Sequence, residues 1–342
     1  MKKTIIFSLL IITMLFVSAC GSDSTGAKKD ELEKVDLLLA AEGTAMYYAY
    51  IAKENGYFEE EGLDVNLVTG KGGTYVIQQI GAGTIDIGIT AVSALLPAWD
   101  KGLDIQNVYQ VNVTNLFDFM VPKGSDIKDI NELKGKIIGV SDIGGGEVPM
   151  VRSILAGAGI DPDHDVTLRA IGAEAPSILA AFDNNAIQAY IGGAHDLISL
   201  YARGFESDSL LPEEYLSLPS TGIIANGETI EERPELVEKI SRSVARATDF
   251  SINDPDAAFD IMKEAIPEQY ADEEVGRLFL DTFIGLSTPV EPEKGYGYIY
   301  EDSWEKLVEQ FSVGDNPVVT NEIDLDKYLN SSFLEKANDF DK

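Results

Sequence analysis

Short apolar runs, each followed by a glycine- or hydroxyl-rich turn and then by a helical pattern, recur along this chain and set what it can fold into. Residues 35–41, Val-Asp-Leu-Leu-Leu-Ala-Ala, form a nearly unbroken apolar run, the mark of a strand buried on both faces of a parallel sheet. Strands predicted at 65–69, 85–90 and 105–113 alternate with helices predicted at 47–55, 74–82 (capped by Thr74) and 92–101. A second set places strands at 119–122, 136–141, 166–171, 186–191 and 223–226. Its helices fall at 148–158, 175–184 and 196–202, with a short turn or helix at 130–133. Helices then dominate, at 230–250, 255–265, 272–284 and 300–311. This alternation predicts an α/β fold of two doubly wound lobes, with a helical C-terminal tail packed on one of them. Lobe 1 is expected to comprise 35–117 plus 222–342, and lobe 2 to comprise 118–221. The chain would cross near Phe117, Asp118 and Phe119 and return near Thr221 and Gly222.

Five turns share one chemistry. Glu42-Gly43-Thr44-Ala45, Gly70-Lys71-Gly72-Gly73-Thr74, Thr90-Ala91-Val92-Ser93, Gly144-Gly145-Gly146 and Gly192-Gly193-Ala194-His195 each lie between a strand's C-terminus and a helix's N-terminus. Open α/β sheets bind ligands in that crevice, where glycine admits a ligand to the backbone and helix N-termini suit oxygen-rich or anionic groups. A single such loop is accounted for by tight turns and N-caps. Five from both halves of the chain point to a shared cleft. For Gly144, Gly145 and Gly146, anion binding and turn geometry are equally supported, and Glu147 in the following turn would compete with an anionic ligand. Neither a Walker lysine nor G-x-G-x-x-G spacing accompanies them. Met46, Tyr47 and Tyr48 enter the first helix, where the tyrosines either frame an apolar ligand part or pack in the core. His195 ends a strand in the expected cleft, with Asp196 beside it, and suits a ligand hydrogen bond or a capping role. His164, within Asp161-Pro162-Asp163-His164-Asp165, reads as surface.

The N-terminus carries export chemistry. Lys2 and Lys3 precede an apolar run over 4–17, short for a membrane span, and Ser18-Ala19 precede Cys20, the chain's single cysteine. The arrangement resembles the lipobox of bacterial lipoproteins, with Val17 where leucine is usual. It implies a signal peptide over 1–19, lipidation of Cys20 and a flexible stalk over 20–34. The 342-residue chain less its first 19 leaves 323 residues, enough for two domains. With Cys20 lipidated, no thiol remains for a disulfide, a nucleophile or a thiolate metal site. Fifty-eight acidic residues against 26 basic ones, a net charge of −32, exclude nucleic acid and electrostatic adhesion to anionic lipid. The lipid would be the only membrane tether. No cofactor, metal or catalytic set is visible: the two histidines lack metal-ligand spacing, and Ser93 and Ser220 lack a nucleophile-elbow context.

Ala52-Lys53-Glu54-Asn55-Gly56-Tyr57-Phe58-Glu59-Glu60-Glu61-Gly62-Leu63-Asp64-Val65 resembles the A-x-x-x-G-Y-F-x-x-E-G-L-x-V signature of one group of solute-binding proteins. These are the ABC importer components of the nitrate, sulfonate, taurine and thiamine-precursor type. Gly83-Thr84-Ile85-Asp86-Ile87-Gly88 and Leu133-Lys134-Gly135-Lys136-Ile137-Ile138-Gly139-Val140 resemble two further family elements. The resemblance implies a type II periplasmic-binding-protein fold, a ligand trapped by hinge closure, and delivery to an ABC permease with its ATPase. The receptor is expected to be monomeric and extracytoplasmic, on the outer face of the cell membrane. The ligand-binding residues expected are Gly43, Thr44, Met46, Tyr47, Tyr48, Gly72, Gly73, Thr74, Ala91, Ser93, Phe117, Gly144, Gly145, Gly146, Glu147, Gly193, His195, Asp196 and Thr221. Gly193-Ala194-His195-Asp196 and Gly144-Gly145-Gly146-Glu147 depart from the family's usual loops. That sets a neutral heterocycle beside a sulfonate-like anion as the solute. Related eukaryotic thiamine-pyrimidine synthases make an enzyme the alternative, although they carry a cysteine-rich iron motif that this chain lacks. A ligand receptor for a sensor kinase is the third reading.

Overall fold

The computed structural model describes residues 31–341. The expected export signal, Cys20 and most of the stalk lie outside the described residues. Ten strands form two five-stranded sheets: β1 Glu33–Leu39, β2 Leu63–Thr69, β3 Ile87–Ala91, β4 Ile105–Asn112, β5 Phe117–Pro122, β6 Ile137–Val140, β7 Thr167–Ala170, β8 Ala189–Gly193, β9 Ser207–Ser209 and β10 Thr221–Asn226. The first sheet runs β2-β1-β3-β10-β4 and the second β7-β6-β8-β5-β9. Pairing is parallel for β1 with β2 and β3, and for β6 with β7 and β8. The exceptions are β5 and β10, antiparallel to both of their neighbours. They are the strands that follow the two crossings between sheets. The architecture is the periplasmic-binding-protein fold, mixed α/β in two sheets.

Burial explains the central strands. All six residues of β10 are buried, and Leu37, Leu39, Ile87, Ile89 and Ile223 pack as one core with the helices that flank the sheet. Several bounds differ from expectation for identifiable reasons. The expected helix over 230–250 is two, Gly227–Glu232 and Pro234–Asn253, because Pro234 lacks the N–H that would continue the first and sits at the first position of the second. The helix expected from Thr74 begins two residues earlier, at Gly72, with Lys71 as its N-cap and no side-chain cap. Strand β9 is a short polar edge strand, so no apolar pattern announced it. Strand β1 starts at Glu33, inside the expected stalk.

The tail, expected on one lobe, contacts β4 of the first sheet and also the helix that follows β6 of the second. In the helix Glu301–Phe311, Trp304 is fully buried, its Nε1 donating to Gln110 Oε1 at 3.0 Å on β4, with its ring 5.3 Å from that of Trp99. At the helix's other end, Ser153 Oγ of the helix Glu147–Gly157 donates to the Gln310 carbonyl at 2.7 Å. Just beyond, Gly314 has φ +87° and lies so close to the Ala156 carbonyl that a Cβ would sit 2.1 Å from it. Gly314→Ala is expected to cost about 1–3 kcal/mol or more, since it adds a backbone clash to a left-handed conformation. Gly285→Ala, in an exposed helix position with open space around it, should be neutral or stabilising by up to about 1 kcal/mol. Chemical denaturation of the two variants checks the contrast.

Candidate functional site

The C-terminal ends of the parallel strands from both sheets converge on a cavity of about 440 Å³. Ala40, Ala41 and Glu42 follow β1, Thr69 and Gly70 end β2, and Ala91 ends β3. From the second sheet, Ser141 and Asp142 follow β6, Ala173 and Glu174 follow β7, and His195 follows β8. Asn112, Leu116, Phe117 and Thr221 supply the wall where the chain crosses between sheets. Gln269 and Phe283 come from the helical tail.

Ten of the nineteen expected residues line this cavity: Met46, Gly72, Gly73, Ala91, Phe117, Gly145, Gly146, Glu147, His195 and Thr221. The other nine stand outside its lining, for reasons visible in their contacts. Thr44 is buried, and both its N–H and its Oγ1 donate to Gln269 Oε1 at 2.9 Å, so it positions a wall residue instead of forming the wall. Gly43 packs against the same glutamine. Tyr47 and Tyr48 are fully buried in the core as an edge-to-face pair, ring centroids 5.1 Å apart. Burial pushes the Tyr47 hydroxyl up to about 12. Thr74 and Gly144 hold the two glycine loops together: Thr74 N–H donates to the Gly144 carbonyl at 3.1 Å. Gly72, with φ +76°, lets this approach occur, since a Cβ there would meet Gly144 O at 2.8 Å. Ser93 Oγ donates to the Gly146 carbonyl at 2.7 Å, a second bond between the same walls. Gly193 ends β8 and caps the next helix, and its N–H donates to Asp196 Oδ2 at 3.2 Å.

Carboxylates dominate the polar wall. Glu42, Asp142, Glu147 and Glu174 line the cavity, and His195 is the one basic side chain among the lining residues described. Glu147 is 4% exposed. Its Oε1 accepts from the N–H of Ser141 at 3.0 Å, the N–H of Asp142 at 3.3 Å, and the Ser141 hydroxyl. Burial nonetheless raises its pKa above the usual glutamate range, because those neutral donors only partly offset desolvation. The amides of Ser141 and Asp142 at the end of β6 are thus already served by the protein's own carboxylate. Behind His195, Asp196 is 1% exposed and accepts from the Tyr190 hydroxyl at 3.0 Å through Oδ2. Its Oδ1 lies 2.8 Å from His195 Nε2, and the buried His195 Nδ1 on the other side of the ring has no hydrogen-bond partner among the described residues. Burial lowers the His195 pKa, but the carboxylates of Asp196, Glu147 and Glu174 outweigh it and raise the value overall.

Sequence reasoning missed Glu174, Gln269 and Phe283. Glu174 sits in Gly172-Ala173-Glu174, a sixth strand-to-helix turn with the same small-residue signature, so a local signal existed. Nothing local marks Gln269 or Phe283, which only tertiary packing brings to the cleft.

Two sheets with strand ends facing one cavity define the class as a periplasmic-binding-type protein. The chain belongs to the NMT1/THI5-like family, whose description matches residues 44–258. It is 26% identical over 336 residues, 94% of this chain and 98% of the other, to a formylaminopyrimidine-binding protein of Halalkalibacterium halodurans. It is 24% identical over 332 residues, 90% of this chain and 92% of the other, to a riboflavin-binding protein of Chloroflexus aurantiacus. The solved alkanesulfonate-binding protein of Xanthomonas axonopodis pv. citri, bound to MOPS, shares the fold at TM-score 0.63 and 15% identity, covering 84% of this chain and 97% of that one.

Because folding raises the Glu147 pKa, its stability contribution is fully present below the unfolded value near 4.5 and lost as pH rises through the folded one. Glu147→Gln keeps an acceptor for Ser141 and Asp142 without the buried charge. The melting temperature of the variant relative to the native protein should therefore rise between pH 4 and pH 7, which differential scanning calorimetry at stepped pH measures.

Proposed function

We propose that this protein is the lipid-anchored, extracytoplasmic solute receptor of an ABC importer. In this reading Cys20 carries the lipid, residues 35–117 plus 222–342 form one lobe, and residues 118–221 form the other. The lobes close on a small organic solute, and the closed receptor presents it to a permease and its ATPase as a monomer, without turnover. The observation that carries the reading is the cavity itself: both sheets contribute strand ends, and hydrogen bonds from Thr74 and Ser93 join its walls. Family membership supports it, as do two relatives named for binding a pyrimidine and a flavin across nine-tenths or more of this chain. Those names favour a thiamine-precursor-like or other nitrogen heterocycle over a sulfonate, nitrate or taurine-like anion, because the alkanesulfonate binder is similar in fold alone. The enzyme alternative lacks its chemistry here, since the chain has one cysteine and a cysteine-rich iron motif has no donors.

Two measurements test the proposal. Native mass spectrometry of protein purified from its own membranes should show a bound small solute that leaves unchanged on release; a chemically altered product would overturn the receptor reading. Cys20→Ser should shift the protein from the membrane fraction to the medium or periplasm, whereas unchanged membrane retention would remove the lipid anchor from the account.

A further inference from the structure

We infer that the cavity takes a positively charged, nitrogen-rich solute, a protonated or quaternised heterocycle or an amidine-type cation, with Glu147 as its charge partner. The inference rests on the receptor reading and adds the sign of the ligand's charge, which neither the family nor the relatives' names supply.

Four carboxylates line a space of about 440 Å³, with no lysine or arginine among the described lining residues. A protonated His195 would offset one of them and is itself held against Asp196. Glu147 is the decisive group. It is buried, it lines the cavity, and no described lysine, arginine or histidine forms an ion pair with it. A buried carboxylate with only neutral donors keeps an unmet demand for positive charge, which a cationic ligand meets on binding. The donors from Ser141 and Asp142 all converge on Oε1.

In the loop after β6, four amides are already bonded within the protein. The N–H groups of Ser141 and Asp142 serve Glu147, and those of Gly144 and Gly145 serve Asp142. The loop that most resembled an anion cradle therefore faces the cavity with a carboxylate in front of it. Phe117 and Phe283 also line the cavity and contribute apolar surface, which suits a flat delocalised cation better than a small hydrated one. Glu174 and Asp142 stand exposed at the cavity wall, where their charge attracts a cation to the mouth.

The test uses the full-length protein in detergent and shape-matched triads that differ in charge. One is 1-methylnicotinamide, nicotinamide and nicotinate; a second is benzamidine, benzamide and benzoate. Isothermal titration and ligand-observed NMR should give binding to the cationic members at least about tenfold tighter than to the neutral ones, and none to the anions. Glu147→Gln should weaken cation binding by about tenfold or more and narrow the preference for cationic over neutral members. Glu174→Gln, an exposed change that spares the core, should weaken it less and reduce its salt dependence. Preferential binding of an anion, equal binding of neutral and cationic members, or unaltered cation binding in Glu147→Gln would overturn the charge assignment and leave the receptor reading standing. Failure of every member of every triad to bind would overturn both.

Discussion

The two segments by which the chain crosses between the sheets are tied to each other, at β4 and β10 of the first sheet, by a small set of buried polar bonds, and the cavity is built around that junction. Strand β10 returns to the first sheet between β3 and β4. Gln110 Nε2 donates to the carbonyls of Asn112 and Thr221, both at 2.9 Å. Asn112 Nδ2 donates to Thr221 Oγ1 at 3.1 Å, and Ser220 Oγ donates to the Thr114 carbonyl. Trp304 of the tail closes the same network through Gln110 Oε1. Buried polar groups of this kind stabilise only when every partner is present, so they dictate one register for the crossing strands. That register puts Asn112, Leu116, Phe117 and Thr221 at the cavity wall. The antiparallel β10 is the consequence: a chain coming back from the second sheet can fill the gap between two parallel strands only by running against them.

A second constraint acts within the site. Helix N-termini and glycine turns make a default anion-binding surface, and a family that includes such folds uses a common geometry for diverse solutes. Here the Glu147 carboxylate folds back over the start of its own helix and takes the strand-end amides for itself. Its proximity to Gly145, where a Cβ would stand 2.2 Å from Oε2, shows why glycine precedes it. The glycine loops also act between walls. Gly72 and Gly144 approach closely enough for a backbone bond from Thr74 to span the cleft, so part of the glycine content serves closure of the cavity.

Much of the scaffold was legible because its signals are local. Apolar runs such as 35–41 and 223–226 can be satisfied only by burial on both faces, and strand-to-helix turns with glycine recur after them. The lining residues Gly72, Gly73, Ala91, Gly145, Gly146 and His195 follow from that rule alone. Tyr47 and Tyr48 did not, because helical spacing is the same for a tyrosine that faces a ligand and one that faces a core; here 47 and 48 pack beneath the helix Pro234–Asn253 with Val244, Ala245 and Phe283 in one cluster. Strand β9 was invisible because three polar residues at an edge carry no burial pattern.

By itself the sequence determined the α/β alternation, the placement of turns at strand ends, the acidic surface and the family. These depend on contacts within about twenty residues or on composition, both of which a linear chain displays. The tertiary structure alone decided which turns meet, that the tail contacts both β4 and the helix after β6, and that Gln269 and Phe283 complete a cavity begun by residues more than two hundred positions earlier. It also decided that Glu147 is buried without an ion-pair partner among the described residues. Burial and charge compensation depend on what packs around a group from distant parts of the chain, and a sequence does not print that.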